Sequence, residues 1–223
     1  MASEAFAAYG TEVRVSDGVP LSALTINAAT NATPIVVTTS TNHGVTDFSY
    51  GTITGVVGTT SANGTWILER VSNTQLRLRG SVGNGAYVSG GSLVIAGTFA
   101  TIAELRNPND AGMQTTTVDV SAHDGDGWSS EIVVTKSTQA MRLDVNLVGD
   151  DPTHDPDTGL LSLFQSGAKR HFLLVLPQPP TGFKPVCALF GFVNAYETGF
   201  VVNQALQATF TVEFDGGMNW QPV

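Results

Sequence analysis

The sequence predicts a mainly β protein with one short α-helix and a small all-β module in its first half, on three observations. Apolar and polar residues alternate strictly in several windows. In the first half, Asn-Gly, Gly-Asn and Gly-Gly pairs separate short apolar runs at about 10-residue spacing. Residues 158–167 instead place their apolar residues at helical spacing. A length of 223 residues suits one large β domain or two smaller ones, enough in either case to bury a core.

Each element has its own reason. "TPIVVTTST", "GTITGV", "GTWILERV", "TQLRLRG" and "SLVIAG" read as the short strands of the small module. "TTTVDVSAHDGDGWSSEIVVTKS" reads as two strands around the turn-rich "AHDGDG". "QAMRLDVNLVG" puts Met141, Leu143, Val145 and Leu147 on one face, with Arg142, Asp144 and Asn146 on the other. "TGLLSLFQSG" sets Leu160, Leu163 and Phe164 on one helical face. Asp157 or Thr158 is the expected N-cap, the neighbouring aspartates favour the positive end of the helix dipole, and Gly167 is placed to end the helix. Lys169 and Arg170 follow at the negative end. "HFLLVLP" suits a central strand, and "PVCALFGFVNAYET" a long strand kinked or closely approached at Gly191. In "LQATFTVEFDG", Leu206, Ala208, Phe210, Val212 and Phe214 alternate with Gln207, Thr209, Thr211, Glu213 and Asp215, the pattern of a half-buried antiparallel strand. One side of this sheet is a core and the other meets water or a partner.

Composition narrows the function classes. The opening "MASEAFAAYGTEVRVSDG" has no basic start and no apolar run, and no stretch approaches the roughly 20 apolar residues of a membrane span. A soluble protein made in a cytoplasm is expected. The single cysteine, Cys187, lies in the apolar "VCALFGF" and is expected to be a buried, inert thiol; it rules out a disulfide framework within the chain. The net charge of −9 is unevenly spread. Between Leu24 and Ala96 stand two acids (Asp47, Glu69) and three bases (Arg70, Arg77, Arg79), a net of +1, so the rest of the chain holds 17 acids and 7 bases, a net of −10. That split suggests two units of different origin or surroundings.

Two acidic clusters invite a metal or catalytic reading. Asp150, Asp151, His154, Asp155 and Asp157 share one proline-rich loop, whereas a metal site wants ligands on rigid elements; a structural loop and helix cap is the favoured reading. "HDGDGW" begins like a calcium loop but lacks the further acidic ligand before the glycine and the glutamate six residues after it, which favours a turn. His43, His123, His154 and His171 are scattered over loops and form no triad with a Ser, Cys or Lys. Trp66, in "GTWILERV", reads as a core tryptophan rather than a sugar platform. The residues point to a non-enzyme, with no metal or cofactor.

"MASEAFAAYGTEVRVSDG", "FATIAELRNPNDAGMQTTTVDVSAHDGDGWSSEIVVTKSTQAMRLDVNLVGDDPTH", "LLSLFQSGAKRHFLLVLP" and a strand pair ending "LQATFTVEFDGGMNW" follow one another in an order that resembles the major tail tube protein of long-tailed, siphovirus-type bacteriophages. The shared features are an early "IAEL" strand, a "TTTVDV" strand before a long hairpin loop, "DPTH", a short "LLSLFQSG" helix, and a "LQATFTV" strand near the end. "VVTKSTQAMRLDV" stands where that family has a glycine-rich connection. The resemblance covers residues 1–19 and 97–223 and implies a tail-tube-type β-sandwich or barrel. Residues 20–96 resemble the small β-barrel modules inserted in many phage tail proteins, themselves similar to a half-domain of ubiquitin-activating enzymes; neighbouring ends and a distinct charge suit an insertion.

The resemblance implies a structural virion protein, made in the host bacterial cytoplasm, whose hexameric rings stack into a tube. Tape-measure and tail-tip proteins would be its partners, and double-stranded DNA would pass through without specific binding. A channel that lets DNA slide should be acidic, since each lysine or arginine there would hold phosphate through counterion release. Parity favours Asp119, Glu131, Asp144 and Glu213 as lumen-facing acids. "NPNDAGMQ" and "AHDGDGWSS" would supply contacts between rings or subunits, with Met113, Asp124, Asp126 and Trp128 as candidates. Two other hypotheses remain: a carbohydrate- or receptor-binding tail module built on the Thr/Asn/Gly-rich stretch, and a calcium-dependent hydrolase using the two acidic loops.

Overall fold

A computed structural model describes residues 10–109, 112–119, 131–179, 182–199 and 205–220. The chain divides into two compact units: Met1–Ile102, Lys169–Ala188 and Asn219–Val223 form unit 1, and Ala103–Ala168 and Leu189–Met218 form unit 2. In chain order, unit 1 begins with β1 (Glu12–Ser16), β2 (Leu24–Ala29), β3 (Val36–Thr39), β4 (Phe48–Thr54), β5 (Gly64–Arg70), β6 (Gln75–Leu78), β7 (Ser92–Ile95) and β8 (Phe99–Thr101). Unit 2 takes over with β9 (Leu105–Asn109), β10 (Met113–Asp119), β11 (Glu131–Thr138), β12 (Met141–Asn146) and helix α1 (Leu160–Ser166). Then come β13 (Arg170–Val175) in unit 1, β14 (Val186–Gly199), β15 (Gln207–Phe214) in unit 2 and β16 (Asn219–Trp220) in unit 1. The first three residues of β14 belong to unit 1 and the others to unit 2. The fold is mainly β with a single α-helix among the described residues, as the alternation predicts.

In unit 1, strands β2-β3-β6-β5-β4-β7 close a barrel in that order. Its interior holds Ile26, Ile35, Val37, Ile53, Leu76 and Leu93, all essentially inaccessible. Trp66 packs against this core, and its indole N–H donates to the Ala62 carbonyl at 2.9 Å, which is the core role predicted for it. Strand β2 escapes a reading of the sequence, because "LTINAA" is half polar and a register shift between Ile26 and Ala28 breaks its alternation. The chain enters and leaves the barrel side by side. Asp17 N–H donates to the Thr98 carbonyl (3.0 Å), and the Asp17 carboxylate accepts from the amides of Val19 (2.9 Å) and Thr98 (3.2 Å).

Beside the barrel, unit 1 carries the strand order β8-β1-β13-β14, so "HFLLVLP" does supply a central strand. Phe48 and Ile67 leave the barrel on its outer side and form a second apolar cluster with Leu173, Val175, Val186 and Ala188. Strand β5 is thereby buried on both faces, Leu68 inward and Ile67 outward. Full burial of one such side chain is worth about 1.5–3 kcal/mol.

Unit 2 is ordered β14-β15-β12-β9. Met141, Leu143 and Val145 of β12 stand opposite Val212, Phe210 and Ala208 of β15, and all six are buried. Helix α1 belongs to this apolar side: Leu160 and Leu163 are buried, and Phe164 meets Tyr196 (6.4 Å between ring centroids), which meets Phe210 (5.0 Å). Gly191 is closely approached, as its place in the sequence suggests. A Cβ there would strike the Glu213 carbonyl oxygen on the paired strand. Among the described residues, strands β10 and β11 pair only with each other.

Two local expectations are corrected. The N-cap of α1 is Gly159, with no side-chain cap bond and no acid in the first turn. Asp155 is drawn into the preceding turn, where its carboxylate accepts from the amides of Asp157 (2.8 Å) and Thr158 (2.9 Å). A side chain at position 159 would meet the Thr153 carbonyl, which fixes the cap as glycine. The C-terminal expectation holds, with Gly167 left-handed at φ 63°. "IAEL" is not a strand: Ile102 ends unit 1, and Glu104 sits in a turn at φ 48° before β9. "NPNDAGMQ" is partly ladder, Asn107–Asn109 ending β9 and Met113–Gln114 starting β10, with Pro108 tolerated on an edge strand.

The barrel's outer side gives stability a pH dependence. His171 packs against Tyr50 with tilted rings 4.8 Å apart between centroids, and burial pushes its imidazole below the ordinary value. As pH falls below about 6.5 the unfolded chain takes up this proton before the folded one, so this contribution is whole above that pH and is lost on descent to the lowered folded value. The urea midpoint should therefore fall between pH 7.5 and pH 5.5 on the order of that linkage, and a His171→Leu variant should lack that part of the slope. Equal slopes in the two proteins would contradict it.

Candidate assembly surface

The apolar side of unit 2 leaves a polar side behind. Arg142, Asp144 and Asn146 of β12 lie next to Gln207, Thr209, Thr211 and Glu213 of β15, and the register places Phe192, Ala195 and Glu197 of β14 on this face as well. Asp144 and Glu213, two of the four proposed lumen acids, thus share one face. The Thr209 hydroxyl donates to Asp144 at 2.6 Å, and the Asn194 amide donates to Glu213 at 2.7 Å. Sequence reasoning gave no role to the cations beside them. Arg142 lies 3.6 Å from Asp144 and 3.7 Å from Glu197, and Arg106 lines a shallow cavity of about 460 Å³ with Asp144, Gln207 and Thr209. Arg106 could have been noticed by its place in an alternating run, but a register shift in the β9–β12 ladder hides its parity.

The other two acids sit on the β10–β11 ribbon. Asp119 faces Glu131 directly across the ladder, holding two like charges side by side. One step along, Val118 faces Ile132, on the opposite side of the ribbon. A bulge between Thr116 and Thr117, with Val134 as the extra residue, resets the alternation of β11. All seven residues of β10 and the first seven of β11 are exposed. Met113 (61%), Val118 (47%), Ile132 (54%), Val133 (55%) and Val134 (55%) accordingly present apolar surface to solvent. A two-stranded ribbon is marginal in water by itself, and contiguous exposed apolar surface marks an interaction site. Asp124, Asp126 and Trp128 lie outside the described residues, as does the whole "HDGDGW" loop.

The acidic loop before α1 is built from its own hydrogen bonds. Asp151 accepts from the Thr153 amide (2.8 Å) and hydroxyl (2.5 Å). Burial works against its charged form but is outweighed by those two bonds and the nearby His154, so its carboxyl is held below the usual range. His154 Nδ1 accepts from the Val148 amide at 3.0 Å. Among the described residues no group of three or more His, Cys, Asp or Glu is placed to hold a metal ion. His43 is likewise committed to the barrel, with Nε2 2.7 Å from the Ser72 carbonyl and Nδ1 accepting from the Val45 amide at 3.0 Å. No helix of the described residues is long and apolar enough to cross a membrane.

No family model and no curated protein matches the sequence. Among solved structures, the chain is similar to a chain of the anti-feeding prophage baseplate determined by cryo-EM and six-fold symmetrised, with a TM-score of 0.47, 10% identity, and coverage of 56% of this chain and 85% of that one. It is also similar to a chain in the tail of the empty gene transfer agent particle refined with C6 helical symmetry (TM-score 0.45, 18% identity, 56% and 88% covered). A chain in the virion of the native gene transfer agent particle gives similar values (TM-score 0.44, 19% identity, 55% and 88% covered).

Cys187 is fully buried, and burial pushes its thiol up to about 12. At pH 8 the folded protein should therefore react with a maleimide roughly a thousandfold more slowly than the urea-unfolded chain, because the thiolate is the reacting form. Equal labelling rates would contradict this placement.

Proposed function

We propose that this chain is a structural subunit of a phage tail tube, without enzymatic activity, that polymerises as stacked hexameric rings around a channel for DNA. The observation that carries the reading is the β10–β11 ribbon, which exposes both faces and its apolar side chains in the isolated chain. Packing against neighbouring copies would cover Val118 and Ile132, and joining sheets around a ring would pair the open edges that otherwise invite disordered aggregation. The order of residues that resembles tail tube proteins supplies the partner class, tape-measure and tail-tip proteins, and the virion as the place of work.

In this arrangement the polar face of unit 2 and the acidic face of the ribbon line the channel through Asp119, Glu131, Asp144 and Glu213. Arg142 is no free phosphate ligand, since Asp144 and Glu197 flank it. Net repulsion of the phosphate backbone then keeps passing DNA from sticking. Residues 20–96 are an inserted domain within a tube domain of residues 1–19 and 97–223, a reading supported by the closed barrel and by the Asp17 bonds that bring its two ends together.

The test is a Val118→Asp/Ile132→Asp double variant, compared with the parent by sedimentation velocity and near-ultraviolet circular dichroism. The expected result is an unchanged fold that stays monomeric at concentrations where the parent assembles. Assembly equal to the parent's would overturn the role given to the ribbon.

A further inference from the structure

The barrel's charged side chains are few, and their placement is uneven. Of Asp47, Glu69, Arg70, Arg77 and Arg79, only Arg70 is engaged purely locally, with Asn73 at 2.7 Å. The other four gather where the barrel meets the strands beside it in unit 1. Asp47 accepts from Arg14 of β1 at 3.0 Å, and Arg14 is anchored on its other side by Glu12 at 2.7 Å. Glu69 holds both Arg77 (2.8 Å) and Arg79 (3.3 Å). Arg79 then reaches out of the barrel: its Nη2 donates to the Lys184 carbonyl at 2.7 Å, and its guanidinium lies 5.6 Å from the Phe48 ring and 5.9 Å from the Phe183 ring. Arg77 also sits over Phe183, at 5.3 Å.

Arg79 is 1% exposed, which makes it the largest fully buried side chain of the described residues. A guanidinium taken out of water is tolerated only where acceptors and ring faces replace its hydration. Here those replacements come from both sides. Glu69 and Phe48 belong to the barrel, whereas Phe183 and Lys184 belong to the connection between β13 and β14. Separation of the two would strand the charge and would also expose Phe48 and Ile67, which pack on Leu173, Val175 and Val186. A domain that folds independently of its host predicts the opposite pattern, with charges spread over a solvated outer surface.

We propose that the barrel is not an independently folding bead: Arg79 and Arg14, reaching in opposite directions across the same seam, lock it to β1, β13 and the start of β14 as one cooperative unit. The inference goes beyond the tube reading and does not need it. A barrel that cannot part from β13 without unfolding keeps a fixed position in any particle that incorporates the chain.

The experiment is native-state hydrogen exchange of the full chain over a urea series, with barrel amides such as Leu68 and Leu78 compared with Leu173 and Leu174 of β13. The expected result is one shared opening, with the same free energy and the same urea slope in both sets. Arg79→Met should speed exchange in both sets together, by about tenfold or more, while Arg70→Met, which removes the charge away from the seam, should move neither. Barrel amides that open separately in the parent protein, or an Arg79→Met effect confined to the barrel, would overturn the proposal. If Arg79→Met does not fold, the parent's two sets of amides together with a Phe183→Leu variant decide the matter in the same way.

Discussion

Successive side chains of a strand leave on opposite sides of the sheet, and much of unit 2 follows from that constraint. Once Met141, Leu143 and Val145 enter a core with Ala208, Phe210 and Val212, the residues between them are committed to the other face. That other face is therefore Arg, Asp, Asn, Thr and Glu by necessity of register, and one residue of slippage would exchange the two sets wholesale. The helix completes the arrangement, since Leu160, Leu163 and Phe164 belong with the apolar side and, among the described residues, leave the polar side uncovered. A sheet with one finished face and one open face suits a wall.

The ribbon obeys the same alternation without the same satisfaction. Its valines and isoleucine have no layer to enter within the described residues, and its acids stand across from one another at Asp119 and Glu131. An isolated hairpin of this kind gains little from folding and carries an aggregation liability. Its length and its pairing over seven residue pairs make sense if neighbouring copies complete it. Unit 1 shows the contrary case, an outer surface already completed: Phe48 and Ile67 are covered by β13 and β14, and the charges around them are paired off by Arg14, Arg79 and Glu69.

What could be read from the sequence divides along physical lines. The strict two-residue period made β12 and β15 legible with their faces correct, and the continuous apolar run of β13 announced a strand buried between others. Glycines carried information where backbone approach required them, at Gly191 and Gly167. Local competition was harder to see. Asp155 could bond to two different stretches of backbone, and only the three-dimensional turn shows that it serves the loop and leaves the cap to Gly159. Bulges erased other signals: the shift in β2 hid a strand, and the one in β11 moved parity partway along it. The pairing of Arg142 with Asp144 and Glu197 was invisible for a further reason, since Glu197 comes from a strand more than fifty residues away whose register the sequence does not declare.

The central claim is that the polar face of unit 2 lines a closed channel made by copies of this chain. Electron cryomicroscopy of the concentrated, assembled protein tests it most directly. The expected result is hollow particles with a six-fold end view, Asp144 and Glu213 on the channel surface and the barrels outside. Solid filaments, or hollow ones with Asp144 and Glu213 on the outer surface, would contradict it.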